Sequence, residues 1–386
     1  MLTAQVADSS STFQVAPGVS HTRFVRLSGP LVVNVLRVDL RQRQLSLRHV
    51  RAHDQLRSRE PLSGMVRRLE AAGDEVVAAV NADFFDLATG ENENNQLVDG
   101  EWWKGLKVTT SPFGTYENVH TQFGLDSLRR PLLDRFQFAG EARSRNATVP
   151  VIALNALVRA GPEGTALFTT RFGPTTPTDT GRAVAEVALA SAGHRGDTLL
   201  YVRQGLVATT SGGAIPAGGA VLAGYGARAA AVSAMAPADT VRVLLWAIPR
   251  PPRASPLALL VGGWPRIIRD GASVAADAPA VEGTISHNAE VRHPRTAVGF
   301  SRDSSTLLFV TVDGRSKQSV GVTLVELSAI LLDLGASQAL NFDGGGSTTM
   351  IVRDTIVNTP SDPAGERAIG NALLLVRSRG DLRRQP

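Results

Sequence analysis

Apolar residues recur along this chain at two spacings, and each spacing predicts a different element. Leu62, Met65, Val66 and Leu69 fall at i, i+3, i+4 and i+7, which lines one helical face over Pro61–Gly73, with Gly73 placed to stop it. Leu327, Ile330, Leu331 and Leu334 do the same over Thr323–Gly335. There, Thr323 and Glu326 form a T-x-x-E capping box and Gly335 is the stop. Elsewhere the apolar residues come in short runs rich in valine and isoleucine, the pattern of strands. Leu31–Leu40 reads as a strand with Leu45–Val50 as its hairpin partner, and Glu75–Val80 as a buried strand. Asp197–Val202 and Leu206–Thr209 read as a hairpin turning at Gln204-Gly205. Val241–Ile248 is a strand stopped by Pro249, Pro251 and Pro252. Thr296–Phe300, Leu307–Val312 and Ala339–Phe342 are strands, and Met350–Val352 with Thr355–Val357 a hairpin.

Two long helices among many strands predict an α+β fold, with twisted mixed β-sheets and a few covering helices in one large domain. The two helices are expected to cover one sheet face. The Ser/Thr-rich residues 1–28 read as an extended arm, 29–378 as the domain and 379–386 as a basic tail.

Composition narrows the function. Among 386 residues 43% are hydrophobic and 19% charged, which suits a folded chain and not a disordered one. Cysteine is absent, which excludes disulfides, thiolate metal sites and a cysteine nucleophile. The net charge is +5, and the positive charge is nearly all arginine, spread along the chain and densest at Arg377, Arg379, Arg383 and Arg384. With aromatics at 5%, no nucleic-acid partner is expected. No apolar run is long enough for a membrane span, and the N-terminal stretch carries no secretory signal.

The strongest chemical signal is Asn341-Phe342-Asp343-Gly344-Gly345-Gly346-Ser347-Thr348-Thr349. Three glycines at a strand end bare backbone N–H groups and let a ligand approach the main chain. Asp343, Asn341, Ser347 and Thr348 put a carboxylate and hydrogen-bonding groups in the same turn, a cradle for a phosphate or a sugar. No lysine follows the glycines, so this is not a nucleotide P-loop, and Ser347 is not in a G-x-S-x-G elbow. Asn81 and Asp83 leave the buried strand, either to cap a turn or to line a cleft. His293 and Arg295 open one strand and Asp313 and Arg315 close the next. The two guanidiniums suit an anion, although either one alone is more often a surface ion pair. Arg367 and Asn371 offer a further anion contact. The sequence requires no cofactor; an oxygen-rich divalent metal site at Asp83 or Asp343 stays open, without ligand spacing to support it.

The order of these motifs resembles the phosphodiester glycosidase family. It runs from Val80-Asn81-Ala82-Asp83-Phe84-Phe85 through Gly262-Gly263-Trp264-Pro265 with Asp270-Gly271, Arg295-Thr296-Ala297-Val298-Gly299 and Val312-Asp313-Gly314-Arg315. It continues in Leu340–Met350 and then Asn358, Pro360, Ser361 and Arg367. The likeness covers about Pro30–Val376, is most specific over Arg295–Arg367 and is loose between Ala142 and Arg253. It implies hydrolysis of the bond between a sugar's anomeric carbon and a phosphate, with a carbohydrate phosphodiester as substrate. Arg295, Asp313, Asn341, Asp343, Gly344, Gly345, Gly346 and Ser347 match the family motif, and Asn81 and Phe85 match its first strand motif. Ala82-Asp83 stands where the family's lysosomal member has glycines. His293 and Arg315 also depart from that member but are common in bacterial-type ones. The lysosomal member's cysteines and membrane anchor are absent, which favours a microbial glycan and an exported protein whose signal lies outside this sequence. The implied roles put Arg295, Arg315 and the loop N–H groups on the phosphate. Asp343 would stand at the anomeric carbon, with Asp313 or Asp83 as second carboxylate. The alternatives are a carbohydrate-binding or exopolysaccharide-assembly protein without turnover, and a metal-dependent phosphodiesterase. The sugar, the stereochemistry and the oligomeric state are not legible.

Overall fold

The computed structural model describes residues 8–111, 114–117, 120–158, 163–252, 254–283 and 289–378. The expected basic tail 379–386 lies outside them. Strand accounts for 48% of the chain and helix for 11%, so the α+β expectation holds in its weakest form: sheets dominate and the helices are few. The chain divides into two compact units, residues 1–93, 120–134 and 257–386 forming one and residues 94–119 and 135–256 the other.

The first unit is a sandwich. Its larger sheet runs, in spatial order, Ser9–Ala16, Val19–Arg26, Leu31–Asp39, Thr306–Val312, Arg295–Phe300, Gln338–Asn341, Arg266–Arg269 and Ala272–Ser273. Its smaller sheet runs Thr355–Ile356, Met350–Val352, Glu75–Asn81, Asn371–Arg377 and Leu45–Arg51. The pairs described within both are antiparallel. Residues 9–26, expected as part of an extended arm, form the hairpin at one edge of the larger sheet. Leu31–Asp39 and Leu45–Arg51 are not hairpin partners. They join different sheets, and Leu45–Arg51 pairs with Asn371–Arg377 instead. Leu31–Leu36 is buried on both faces, while Leu45–His49 alternates between buried and half-buried residues, and neither pattern says which strand lies alongside.

Leu36, Val298, Phe309 and Leu340 from the larger sheet pack with Val80, Met350, Leu373 and Leu375 from the smaller in one core. The two helices do not share a face. Leu324–Asp333 lays Leu324, Leu327 and Leu331 on the outer side of the larger sheet against Val310 and Ala339. Leu62–Ala71 lays Leu62, Met65, Val66 and Leu69 on the outer side of the smaller against Ala79 and Leu374. A sheet buried on both faces needs an apolar layer on each, and each helix supplies the outer one. The capping box is present: Thr323 Oγ1 accepts from Glu326 N at 3.2 Å and Glu326 Oε2 accepts from Thr323 N at 3.0 Å.

Among the described residues the second unit has ten strands in one sheet, the described pairs antiparallel except where Ala153–Leu154 runs parallel to Gly164–Thr169, together with the short hairpin of Val108–Ser111 and Gly114–Glu117 and the helix Arg228–Ser233. Thr198–Ala208 is one strand through the expected Gln204-Gly205 turn. The hairpin is instead Val184–Arg195 with Thr198–Ala208, closing at Gly196-Asp197.

Candidate active site

The glycine run is the crossover from one sheet of the sandwich to the other, leaving the larger sheet after Asn341 and entering the smaller at Met350. Its conformation is fixed by backbone bonds. Asp343 N donates to Ala82 O at 2.8 Å, and Gly345 N donates to Pro294 O at 2.9 Å. Each glycine is there for a reason. A Cβ on Gly344 would stand 2.6 Å from Pro294 O. Gly345 has φ +59° and lies under the Arg315 guanidinium, and a Cβ on Gly346 would collide with the Arg367 guanidinium.

Asn81 locks this crossover to both sheets. Its Nδ2 donates to Asp343 O at 2.7 Å, and its Oδ1 accepts from Thr296 Oγ1 at 2.7 Å and Thr349 N at 3.1 Å. Asn341 is buried behind it, donating to Trp264 O at 2.6 Å. The Asn81 amide is engaged at both its oxygen and its nitrogen, which makes it a support of the loop, whereas Asn341 is held by its nitrogen and its Oδ1 is buried without a hydrogen bond of good geometry.

Around Asp343 stand the charges the sequence scattered. Arg295, Arg315, Arg367 and His293 gather at the crossover, the first three drawn from strand ends or turns far apart in the chain. Arg295 is buried, donating to Val322 O at 3.1 Å and Val291 O at 2.8 Å, and burial together with Arg315 lowers its pKa to about 10, which leaves it charged at neutral pH. Arg315 Nη2 lies 3.2 Å from His293 Nδ1. A guanidinium has no lone pair to offer, so Nδ1 is the acceptor and the imidazole proton sits on Nε2. Burial, with Arg295 and Arg315 nearby, holds the His293 pKa below its ordinary value, so the ring is neutral at pH 7. Arg367 is held by Asp362, Nε to Oδ2 at 2.7 Å.

Burial raises the Asp343 carboxyl from 3.8 to about 6, against the nearby Ser347 hydroxyl, the Gly344 N–H at 2.9 Å, and the charges of Arg367 and Arg295. The group therefore changes charge just below neutrality, where a carboxylate can both attract a cation and accept a proton. Ser347 Oγ and Thr348 Oγ1 are buried here without a hydrogen bond of good geometry.

The other expected carboxylates face the protein. Asp313 is buried, both oxygens accepting from Thr359 N at 3.1 and 3.2 Å, with its pKa raised by burial. Asp83 is buried and its charge acts on Arg51, whose pKa burial lowers to about 10. Asn371, expected as an anion contact, is 1% exposed. Its Oδ1 accepts from Asp83 N at 3.0 Å and Asn92 Nδ2 at 3.1 Å, and its Nδ2 lies 2.8 Å from His49 Nε2. It braces the chain after Asn81 and has no free hydrogen-bonding face for a substrate. Thr296, Pro294 and Asp362 were missed by sequence reading. Asp362 opens a turn, bonding Ala364 N at 3.1 Å, and that turn brings Arg367 back within reach; the Asp-Pro-Ala-Gly stretch was the available signal. Among the described residues no group of three or more His, Asp or Glu side chains is arranged to hold a metal ion, and no helix is long and apolar enough to cross a membrane.

Comparison with known proteins bears on this site directly. Two solved structures share the fold. One is a hypothetical protein from Synechocystis, TM-score 0.75 at 19% identity, covering 96% of this chain and 64% of that one. The other, from Burkholderia pseudomallei, has TM-score 0.67 at 23% identity, covering 92% and 77%. In sequence, 85 residues are 40% identical to the SPbeta prophage-derived uncharacterized protein YomE of Bacillus subtilis, 22% of this chain and 13% of that protein. A further comparison gives 33% identity over 115 residues with the human N-acetylglucosamine-1-phosphodiester alpha-N-acetylglucosaminidase, 28% of this chain and 22% of that enzyme. The chain thus matches about a fifth or less of the length of these relatives. Residues 190–376 match the family model of phosphodiester glycosidases. That span, which holds Arg295, the glycine crossover and Arg367, is where the chain is similar to the phosphodiester glycosidase family.

Proposed function

We propose that this protein hydrolyses the bond between a sugar's anomeric carbon and a phosphodiester oxygen, releasing the sugar and a phosphomonoester. The observation that carries the reading is the gathering of Arg295, Arg315 and Arg367 around one carboxylate, Asp343, on a glycine crossover within the family-matched span.

The chemistry follows from charge. Water adds its oxygen to the anomeric carbon, and the bond from that carbon to the bridging oxygen breaks with its electron pair going to the phosphate. The phosphate group thereby passes from one negative charge to two, while the anomeric carbon turns cationic on the way. Arginines prearranged at the crossover stabilise the charge that develops on the leaving phosphate. The Gly346 N–H and the neutral His293, with its Nε2–H, add donors that need no reorganisation, whereas the Gly345 N–H is spent on Pro294 O. Ionised Asp343 stabilises the cationic carbon or takes the proton from the incoming water. The departing phosphate is a good leaving group, so no strong general acid is required. Asp83 and Asp313 act through the loops they brace, Asp313 on the Asn358-Thr359 turn and Asp83 on the Arg51–Asn92–Asn371 network.

We propose a microbial glycan phosphodiester as the substrate. Export fits that setting, and the Burkholderia relative is provisionally titled an exported protein. The decisive experiment incubates the protein with a panel of glycosyl phosphodiesters in ¹⁸O water, with and without chelator. Label in the sugar is expected. Label in the phosphate, with loss in chelator, would replace this reading by a metal-dependent phosphodiesterase, and binding without turnover by a carbohydrate-binding role.

A further inference from the structure

We propose that Phe84 is the platform on which the sugar ring lies, an inference that rests on the glycosidase reading. The site described so far is arginine, carboxylate and backbone N–H, all suited to the phosphate end. A pyranose also has a flat face of C–H groups, which needs an apolar surface.

Phe84 supplies one. The strand before it is buried through Val80, Asn81, Ala82 and Asp83, yet Phe84 itself is only partly buried. Phe85 packs against the core beneath the Leu62–Ala71 helix, whereas among the described residues Phe84 joins none of the hydrophobic cores. What it does contact is Trp264, edge to face, with ring centroids 6.5 Å apart and planes at 76°. Trp264 is 2% exposed and anchored by Nε1 to Gly283 O at 2.8 Å, so it fixes the tilt of the Phe84 ring.

The backbone places this pair beside the carboxylate. Ala82 O, two residues before Phe84, accepts from Asp343 N at 2.8 Å, and Trp264 N donates at 2.9 Å to Asn341 O, two residues before Asp343. The Phe84 carbonyl is itself pinned by Glu93 N at 3.0 Å and Asn92 Nδ2 at 3.1 Å. A partly open aromatic ring of fixed tilt thus stands on the segment that holds the catalytic carboxylate in place. Its face carries negative charge density, which attracts a cation more strongly than a neutral ring. The platform therefore contributes to binding and contributes more once the anomeric carbon is cationic.

This difference gives the test. Phe84→Leu keeps apolar surface and removes the π face; Phe84→Trp keeps both. Steady-state turnover of a glycosyl methyl phosphodiester is expected to show Phe84→Leu with KM within about 3-fold of wild type and kcat lower by roughly 5–30-fold. Phe84→Trp should recover kcat to within about 3-fold, which a merely structural role would not allow. A Phe84→Leu variant with wild-type kcat overturns the platform. A second readout separates this inference from the hydrolase reading: the upfield ring-current shift of sugar protons when a hexose 1-phosphate is titrated with protein. A wild-type protein that hydrolyses nothing but gives this shift, lost in Phe84→Leu, refutes hydrolysis and keeps the platform. The absence of any shift with the wild type overturns the platform.

Discussion

Replacing Asp343 by asparagine should abolish turnover and at the same time make the fold more stable at neutral pH. The carboxyl pKa stands at about 6 in the folded chain against 3.8 ordinarily, so between those values the folded state holds a proton that the unfolded state has lost. Stability contributed by this group therefore falls as pH rises through that window and stays low above it. Two pH units correspond to about 3 kcal/mol, and the partial exposure of Asp343 to water reduces this to about 1–2 kcal/mol. Asparagine keeps an oxygen to accept from Gly344 N, at 2.9 Å in the parent, and carries no charge. Thermal denaturation of both proteins should then give equal midpoints at pH 3.5, and a variant higher by roughly 1–3 °C at pH 8. Turnover of wild type should rise with pH through about 6, as the carboxylate forms, and be absent from the variant at every pH. Equal midpoints at pH 8, or a gain of the same size at both pH values, would refute the claim that burial of the charged form is what sets this group.

Further outcomes follow from the same geometry. Arg315→Ala and Arg367→Ala should each lower kcat by about 10²–10³ while shifting melting little, since the proposed reaction sets each guanidinium on the leaving phosphate; steady-state kinetics beside a melting curve checks this. Gly344→Ala should destabilise by about 1–3 kcal/mol, because its Cβ would press on Pro294 O at 2.6 Å, a backbone atom unable to step aside; denaturant titration reads it. Asn81→Ala leaves Thr296 Oγ1, Thr349 N and Asp343 O without their partner and should cost about 2–4 kcal/mol, measured the same way. Asn371→Ala should also cost stability, yet leave KM for a phosphodiester within about 3-fold, which separates a brace from an anion contact.

Local elements with strong signals were legible in the sequence, and long-range partners were not. The Thr323–Glu326 box and Gly335 are short-range devices, and the helix ends where they place it. The pairing of Leu45–Arg51 is not legible because the alternation of Leu45, Leu47 and His49 with Ser46 and Arg48 marks a strand and its buried face, but not the strand that lies alongside, here Asn371–Arg377 from the far end of the chain. At the site, the glycine run announced itself, since three glycines between apolar strands have little structural use unless something presses on them, and Pro294, Arg315 and Arg367 do. The carboxylates could not be ranked from sequence. Asp83, Asp313 and Asp343 all follow buried strands, and their difference lies in what stands opposite: Arg51, Thr359 N and the arginine cluster. Asn371 carried a residue type suited to anions, but its neighbours His49, Asp83 and Asn92 come from distant segments.

The glycine crossover would also make the proposed reaction a gauge of how the two sheets are aligned. Arg295 rides at the end of one sheet and Arg367 leads into the other, with Asp343 on the span between them. A sideways slip of a few tenths of an ångström between the layers would move the guanidiniums unequally with respect to the carboxylate. Trimming Val298, Leu340 or Met350, side chains wedged between the layers and remote in role from any chemistry, would then register as slower turnover well before it registers as unfolding.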